Sequence, residues 1–162
     1  MNRLINQPFH SMHRAADMLC LNFGKTREER TIKIRGQNLL FRYPEYSLQL
    51  QVQWRFVYQK QILLGSRDIY KPFSQDVGED WDYDPIGRPD SESSVFDVVS
   101  KRVSQELLEH HVVDCVVSPV GDIQITFSNG YTFEVFIPAS YKDEEWRLID
   151  FVKDEHLIFY DI

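Results

Sequence analysis

Asp122-Ile123-Gln124-Ile125-Thr126-Phe127-Ser128-Asn129-Gly130-Tyr131-Thr132-Phe133-Glu134-Val135-Phe136-Ile137 alternates apolar and polar residues on both sides of an Asn-Gly pair. Successive side chains of an extended chain leave opposite faces, so this alternation describes strands with one buried and one wet face. Asn-Gly supplies the positive φ angles of a tight turn, and the stretch is therefore expected to be a β-hairpin. A second run, Tyr46-Ser47-Leu48-Gln49-Leu50-Gln51-Val52-Gln53-Trp54-Arg55-Phe56, keeps every second residue from Leu48 apolar and is expected to be one half-buried strand.

Working outward, weaker strand patterns cover Asp17 to Phe23, Thr31 to Arg35, Leu39 to Tyr43, Gln61 to Ser66, His111 to Ser118 and His156 to Tyr160. One stretch has helical spacing: Phe96, Val99, Val103 and Leu107 recur at three and four residues, and the serines from Ser91 to Ser94 can cap its first turn. The expected fold is α+β: one antiparallel sheet of about seven strands with one main helix on its apolar face, in a single domain spanning residues 1–162. A chain of this length buries roughly 70% of its unfolded surface, enough for a core without staples. Residues 71–91 are the longest stretch without periodicity and carry Pro72, Pro85, Pro89, Gly78 and Gly87. Loops this long within compact domains are usually functional or disordered. Tyr46 to Trp54 and Tyr131 to Trp146 share a faint pattern, but their unequal spacing does not make a repeat architecture.

The net charge of -7 is unevenly placed. Residues 1–75 hold 12 basic and 5 acidic groups, residues 76–92 hold 1 and 7, and residues 93–162 hold 5 and 13. An isoelectric point near 5.2 argues against nucleic-acid binding, which draws its affinity from clustered Lys and Arg. The basic excess of the amino-terminal half is expected to neutralise the acidic half within the fold. No stretch approaches the ~20 apolar residues of a membrane span, and residues 1–8 lack a signal-peptide core, so a cytoplasmic location without membrane contact is expected. Cys20 and Cys115 sit in strand-like stretches without metal-type spacing and read as two reduced core thiols.

Glu79-Asp80-Trp81-Asp82-Tyr83-Asp84 gathers four carboxylates around two aromatic rings in the long loop. Oxygen-rich runs can hold Ca²⁺ or Mg²⁺, but this one lacks the spacing and distal Glu of an EF-hand. Asp80, Trp81, Asp82, Tyr83 and Asp84 fit a partner-binding surface, with rings as anchors and carboxylates steering a basic partner, and they fit equally a solvated loop. His10 and His13 would share a face on a helix but lack companion ligands, and adjacent His110 and His111 point apart on a strand. Gly65-Ser66-Arg67-Asp68-Ile69 departs from a nucleophile elbow, and Arg67 and Asp68 read as a structural pair. No glycine-rich phosphate cradle is present, so no cofactor is implied.

His13-Arg14-Ala15-Ala16-Asp17-Met18, Phe23-Gly24, Trp54-Arg55, Gly65-Ser66-Arg67-Asp68, Phe127-Ser128-Asn129-Gly130-Tyr131 and Glu145-Trp146-Arg147-Leu148 together resemble a family of small uncharacterised bacterial proteins similar to immunity proteins of toxin systems. That resemblance implies a non-catalytic α+β domain that binds and neutralises a cognate toxin, and no functional residue is carried over by motif. A basic toxin domain would suit the acidic run. A small metal-dependent hydrolase, using the same carboxylates or His10 and His13, and a small-ligand sensor are the alternatives.

Overall fold

A computed structural model describes residues 1–34, 37–85, 87–141 and 143–158. Among them lie twelve strands: β1 (Phe9–Ala15), β2 (Met18–Phe23), β3 (Glu28–Ile34), β4 (Gln37–Tyr43), β5 (Tyr46–Leu50), β6 (Gln53–Tyr58), β7 (Gln61–Gly65), β8 (Val112–Val117), β9 (Ile123–Phe127), β10 (Thr132–Phe136), β11 (Trp146–Asp150) and β12 (Glu155–Ile158). One α-helix, α1, spans Val95–Leu107. The α+β class holds, but the expected single sheet of about seven strands is replaced by two five-stranded antiparallel sheets and a two-stranded ribbon. The first sheet has the order β1-β2-β5-β11-β12, the second β7-β6-β10-β9-β8, and among the described residues β3 pairs only with β4. Arg35, Phe159 and Tyr160, the ends of two expected strands, lie outside the described residues.

The alternating run from Tyr46 to Phe56 explains the difference. It is two strands, β5 in the first sheet and β6 in the second, joined by a bend at Gln51 and Val52. Leu48, Leu50, Val52, Trp54 and Phe56 are all buried, so the alternation passes through the bend unbroken. A strand that changes sheets at a corner keeps its inner face inward throughout, and its period cannot reveal the turn. The returning chain follows the same corner, because β10 pairs with β6 and β11 with β5, while Gln51 N–H donates to Glu145 C=O at 3.1 Å.

Side chains from both sheets fill one core. In the first sheet Leu21, Leu48 and Leu148 stand in register; in the second, Leu64, Phe56, Phe133 and Ile125 do. Phe127 bridges the layers, with ring centroids 6.3 Å from Phe9 and 6.4 Å from Phe23. At the far side the first sheet is tied to the second by the amino terminus, where Phe9 N–H donates to His110 C=O and Asn6 N–H to Val112 C=O.

The expected hairpin over residues 122–137 is present as β9 and β10, with different turn chemistry from that expected of Asn-Gly. Only Gly130 has positive φ, at 86°. Gly130 N–H donates to Phe127 C=O, and Phe127 N–H to Tyr131 C=O, which makes a three-residue loop closed by a left-handed glycine. Asn129 contributes its side-chain oxygen, which accepts from Tyr131 N–H at 3.0 Å.

Helix α1 buries Phe96, Ser100, Val103 and Leu107. It packs along β1 and β7, the outer strands of the two sheets, and along a short 3-10 turn at Ser66–Tyr70, and Phe96 enters the shared core against Trp54 of β6, with ring centroids 5.9 Å apart. No helix among the described residues is long and apolar enough to cross a membrane.

Leu48, fully buried between Leu21 and Leu148, is predicted to lose about 2–5 kcal/mol on Leu48→Ala. Gln49→Ala, on the outer face of the same strand, should stay within about 0.5 kcal/mol. Urea unfolding of the two variants checks the assignment of faces, and equal losses would contradict it.

Candidate functional site

The acidic run lies in a loop whose ends are clamped together. Val95 N–H donates to Lys71 C=O at 2.8 Å, Phe73 N–H donates to Ser93 C=O at 2.9 Å, and Pro72 bridges Ser94. The chain between these clamps leaves and returns at the amino end of α1. Ser94 is the helix N-cap: its hydroxyl accepts from Asp97 N–H at 3.1 Å and donates to the Asp97 carboxylate at 2.9 Å.

Within the loop both rings turn inward. Trp81 Nε1–H donates to Glu92 C=O at 2.8 Å, and Tyr83 packs edge-on against Tyr70, with centroids 4.7 Å apart. Tyr83 also touches the core, so the two rings are half-buried, where free anchors were expected. Tyr70 in turn donates its hydroxyl to Asp17 at 2.9 Å; partial burial and that carboxylate push its phenol up to about 12. Asp80, Asp82 and Asp84 stay exposed, as do Asp76 and Glu79. Arg88 donates to Asp82 C=O at 3.0 Å, and Ser93 Oγ donates to the carbonyls of Arg88 and Pro89. The inner side of the loop frames a cleft of about 590 Å³ between Asp76, Asp80, Trp81, Arg88 and Glu92.

Arg14 connects this loop to the sheets and to the helix. Its guanidinium is almost wholly buried and grips Asp97 with two parallel bonds, Nε to Oδ1 at 2.7 Å and Nη2 to Oδ2 at 2.8 Å. Nη1 donates to Ala16 C=O at 2.8 Å and Nη2 to Tyr83 C=O at 2.7 Å. One side chain from β1 thus holds the β1–β2 turn, the capping carboxylate of α1 and the centre of the acidic run. Burial alone would raise the Asp97 carboxyl, but hydrogen bonds from Arg14 and Ser94 outweigh it and hold the group below its ordinary value. The sequence reading missed this pair because 83 residues separate Arg14 from Asp97. The one local signal was Ser94-x-x-Asp97 ahead of an apolar run, which marks a capping box and points to the carboxylate.

The remaining singled-out residues are not brought together. His10 and His13 lie on a strand where a helix would have paired them; His10 meets Ser11 and Thr26 at 3.0 and 3.1 Å, and His13 meets Asn22 at 3.5 Å. His110 contacts Ser128 Oγ at 3.0 Å, while His111 bridges Pro8. Among the described residues no three His, Cys, Asp or Glu side chains are grouped to hold a metal ion. Arg67 and Asp68 do not pair as expected: Asp68 accepts from Gly65 N–H at 2.8 Å, while Arg67 is exposed and makes no ion pair among the described residues. Cys20 and Cys115 are buried free thiols, both pushed by burial up to about 11. No family model, curated protein or solved structure matches this chain.

Arg14→Ala leaves the Asp97 carboxylate partly buried without its partner and is predicted to cost about 3–5 kcal/mol, with Arg14→Met/Asp97→Leu recovering much of that loss. Because the folded Asp97 carboxyl titrates below its unfolded value, its contribution is complete above about pH 4 and is lost as pH falls through the folded value. Asp97→Asn should therefore flatten the acid limb of the stability profile, measured by urea unfolding from pH 6 to about pH 2.5. An unchanged limb would contradict the assignment.

Proposed function

We propose that the chain is a protein-interaction module of the immunity type, which binds and neutralises a basic toxin domain through the acidic loop. The carrying observation is the loop's construction: clamped at its root, pinned from inside by Trp81, Tyr83 and Arg14, with Asp80, Asp82 and Asp84 turned to solvent. A surface already held in shape spends little conformational entropy on binding. Its carboxylates would steer a basic partner and set its orientation.

The five residues divide by role in this reading. Asp80, Asp82 and Asp84 meet the partner, whereas Trp81 and Tyr83 hold the loop in the conformation that presents them. Neither a metal-dependent hydrolase nor a small-ligand sensor is favoured by a comparable observation.

Partners captured from the host with the tagged chain, then purified and titrated calorimetrically, test this. Asp80→Ala/Asp82→Ala/Asp84→Ala is predicted to weaken the affinity of a captured basic partner by about tenfold or more and to flatten its salt dependence. An unchanged affinity would remove the loop as the contact surface.

A further inference from the structure

The ribbon of β3 and β4 opens at the opposite end of the β1–β2 hairpin from the acidic loop. At one end of that hairpin Ala15 pairs with Met18, next to Ala16, whose carbonyl Arg14 holds together with that of Tyr83. At the other end Phe9 pairs with Phe23, Gly24 N–H donates to Pro8 C=O, and Arg27 N–H donates to Tyr43 C=O where the ribbon begins. Six residues of β2 separate the two ends, about 20 Å of extended chain, against a screening length of about 8 Å at physiological salt.

These ends carry opposite charge. Residues 25–43 contain six basic and two acidic side chains, and residues 76–92 seven acidic and one basic. Elsewhere the basic half does meet the acidic half inside the fold: Arg14 pairs with Asp97, Arg3 with Asp150 and Glu155, and Arg55 with Glu134. The ribbon is different. Arg30 and Arg42 pair with its own Glu28 and Glu29, which leaves Lys25, Arg27 and Lys33 exposed without an ion pair among the described residues. On the loop, Asp76, Glu79, Asp80, Asp82 and Asp84 are exposed and likewise unpaired among the described residues.

We propose that the basic ribbon of one copy docks on the acidic loop of a second copy, head to tail. Each copy then retains one free ribbon and one free loop, so the contact is heterologous and assembly passes beyond a dimer unless a ring closes. Ribbon and loop lie too far apart along the hairpin to neutralise each other through solvent, whereas direct contact between copies removes both excesses. The inference uses the same loop as the proposed toxin contact but requires no foreign partner, so purified chain alone tests it, and either reading can fail while the other stands.

Sedimentation velocity over a concentration series reads the association directly. At about 50 mM salt the weight-average mass should rise to at least about twice the 19.2 kDa of one chain, and at about 500 mM it should fall back to one chain. Lys25→Glu/Arg27→Glu/Lys33→Glu should remain a single chain at low salt, as should Asp80→Lys/Asp82→Lys/Asp84→Lys. An equimolar mixture of the two should recover the association, which shows that neither variant is merely misfolded; since both stay net negative, overall charge attraction does not produce that result. A wild type that stays a single chain at low salt, or a ribbon variant that associates like the wild type, overturns the proposal. So does a single-chain wild type whose ribbon instead binds a labelled DNA duplex and loses it in the ribbon variant, which would make the ribbon a nucleic-acid contact.

Discussion

The guanidinium of Arg14 is shared by three parts of the chain: the β1–β2 turn, the acidic loop and the first turn of α1. A buried cation is tolerated only when its charge is paired and its donors are used, and Arg14 meets both conditions: two bonds to Asp97, one to Ala16 and one to Tyr83. Each bond fixes a different piece. The Asp97 carboxylate caps α1, the Ala16 carbonyl sets the β1–β2 turn, and the Tyr83 carbonyl holds the acidic loop. The two-pronged geometry demands a planar fork of donors, which an ammonium cannot supply.

From that constraint follows the loop's electrostatic character. With its backbone held from below and Trp81 and Tyr83 half-buried, the loop turns Asp76, Glu79, Asp80, Asp82 and Asp84 to solvent. Seven acidic side chains within residues 76–92 then stand on one held segment, and a field of this kind acts on whatever basic surface approaches. The proposed toxin contact and the proposed self-association are two uses of that one field. A basic toxin would compete with the ribbon of a neighbouring copy, and the stronger of the two would prevail.

Much of the fold was legible in the sequence because alternation reports burial. The hairpin over residues 122–137, the strands around residues 18–23 and 61–65, and the helix over residues 95–107 all stand where their periods place them. What the period does not encode is which sheet a strand joins, so the run from Tyr46 to Phe56 read as one strand although it turns a corner at Val52. Strand β1 was obscured because its inward Arg14 is polar. Strand β11 was obscured in the same way: Trp146 and Leu148 point inward, but the next inward residue is Asp150, a buried carboxylate that accepts from Arg3 at 2.7 Å and from Val152 and Lys153 N–H. Both omissions fell on buried charges whose partners lie far along the chain. The acidic run was legible as composition, whereas the inward turn of its rings depends on Glu92, Tyr70 and Arg14, contacts that local sequence does not announce.

Hydrogen–deuterium exchange of wild type and Arg14→Lys tests the latch most directly, since lysine keeps the charge and loses the fork. Exchange is expected to quicken across residues 74–92 and in the first turn of α1, while β5, β6 and β10 retain wild-type protection. Unchanged exchange in the loop, or an equal rise throughout both sheets, would contradict the claim that Arg14 specifically holds the acidic loop in place.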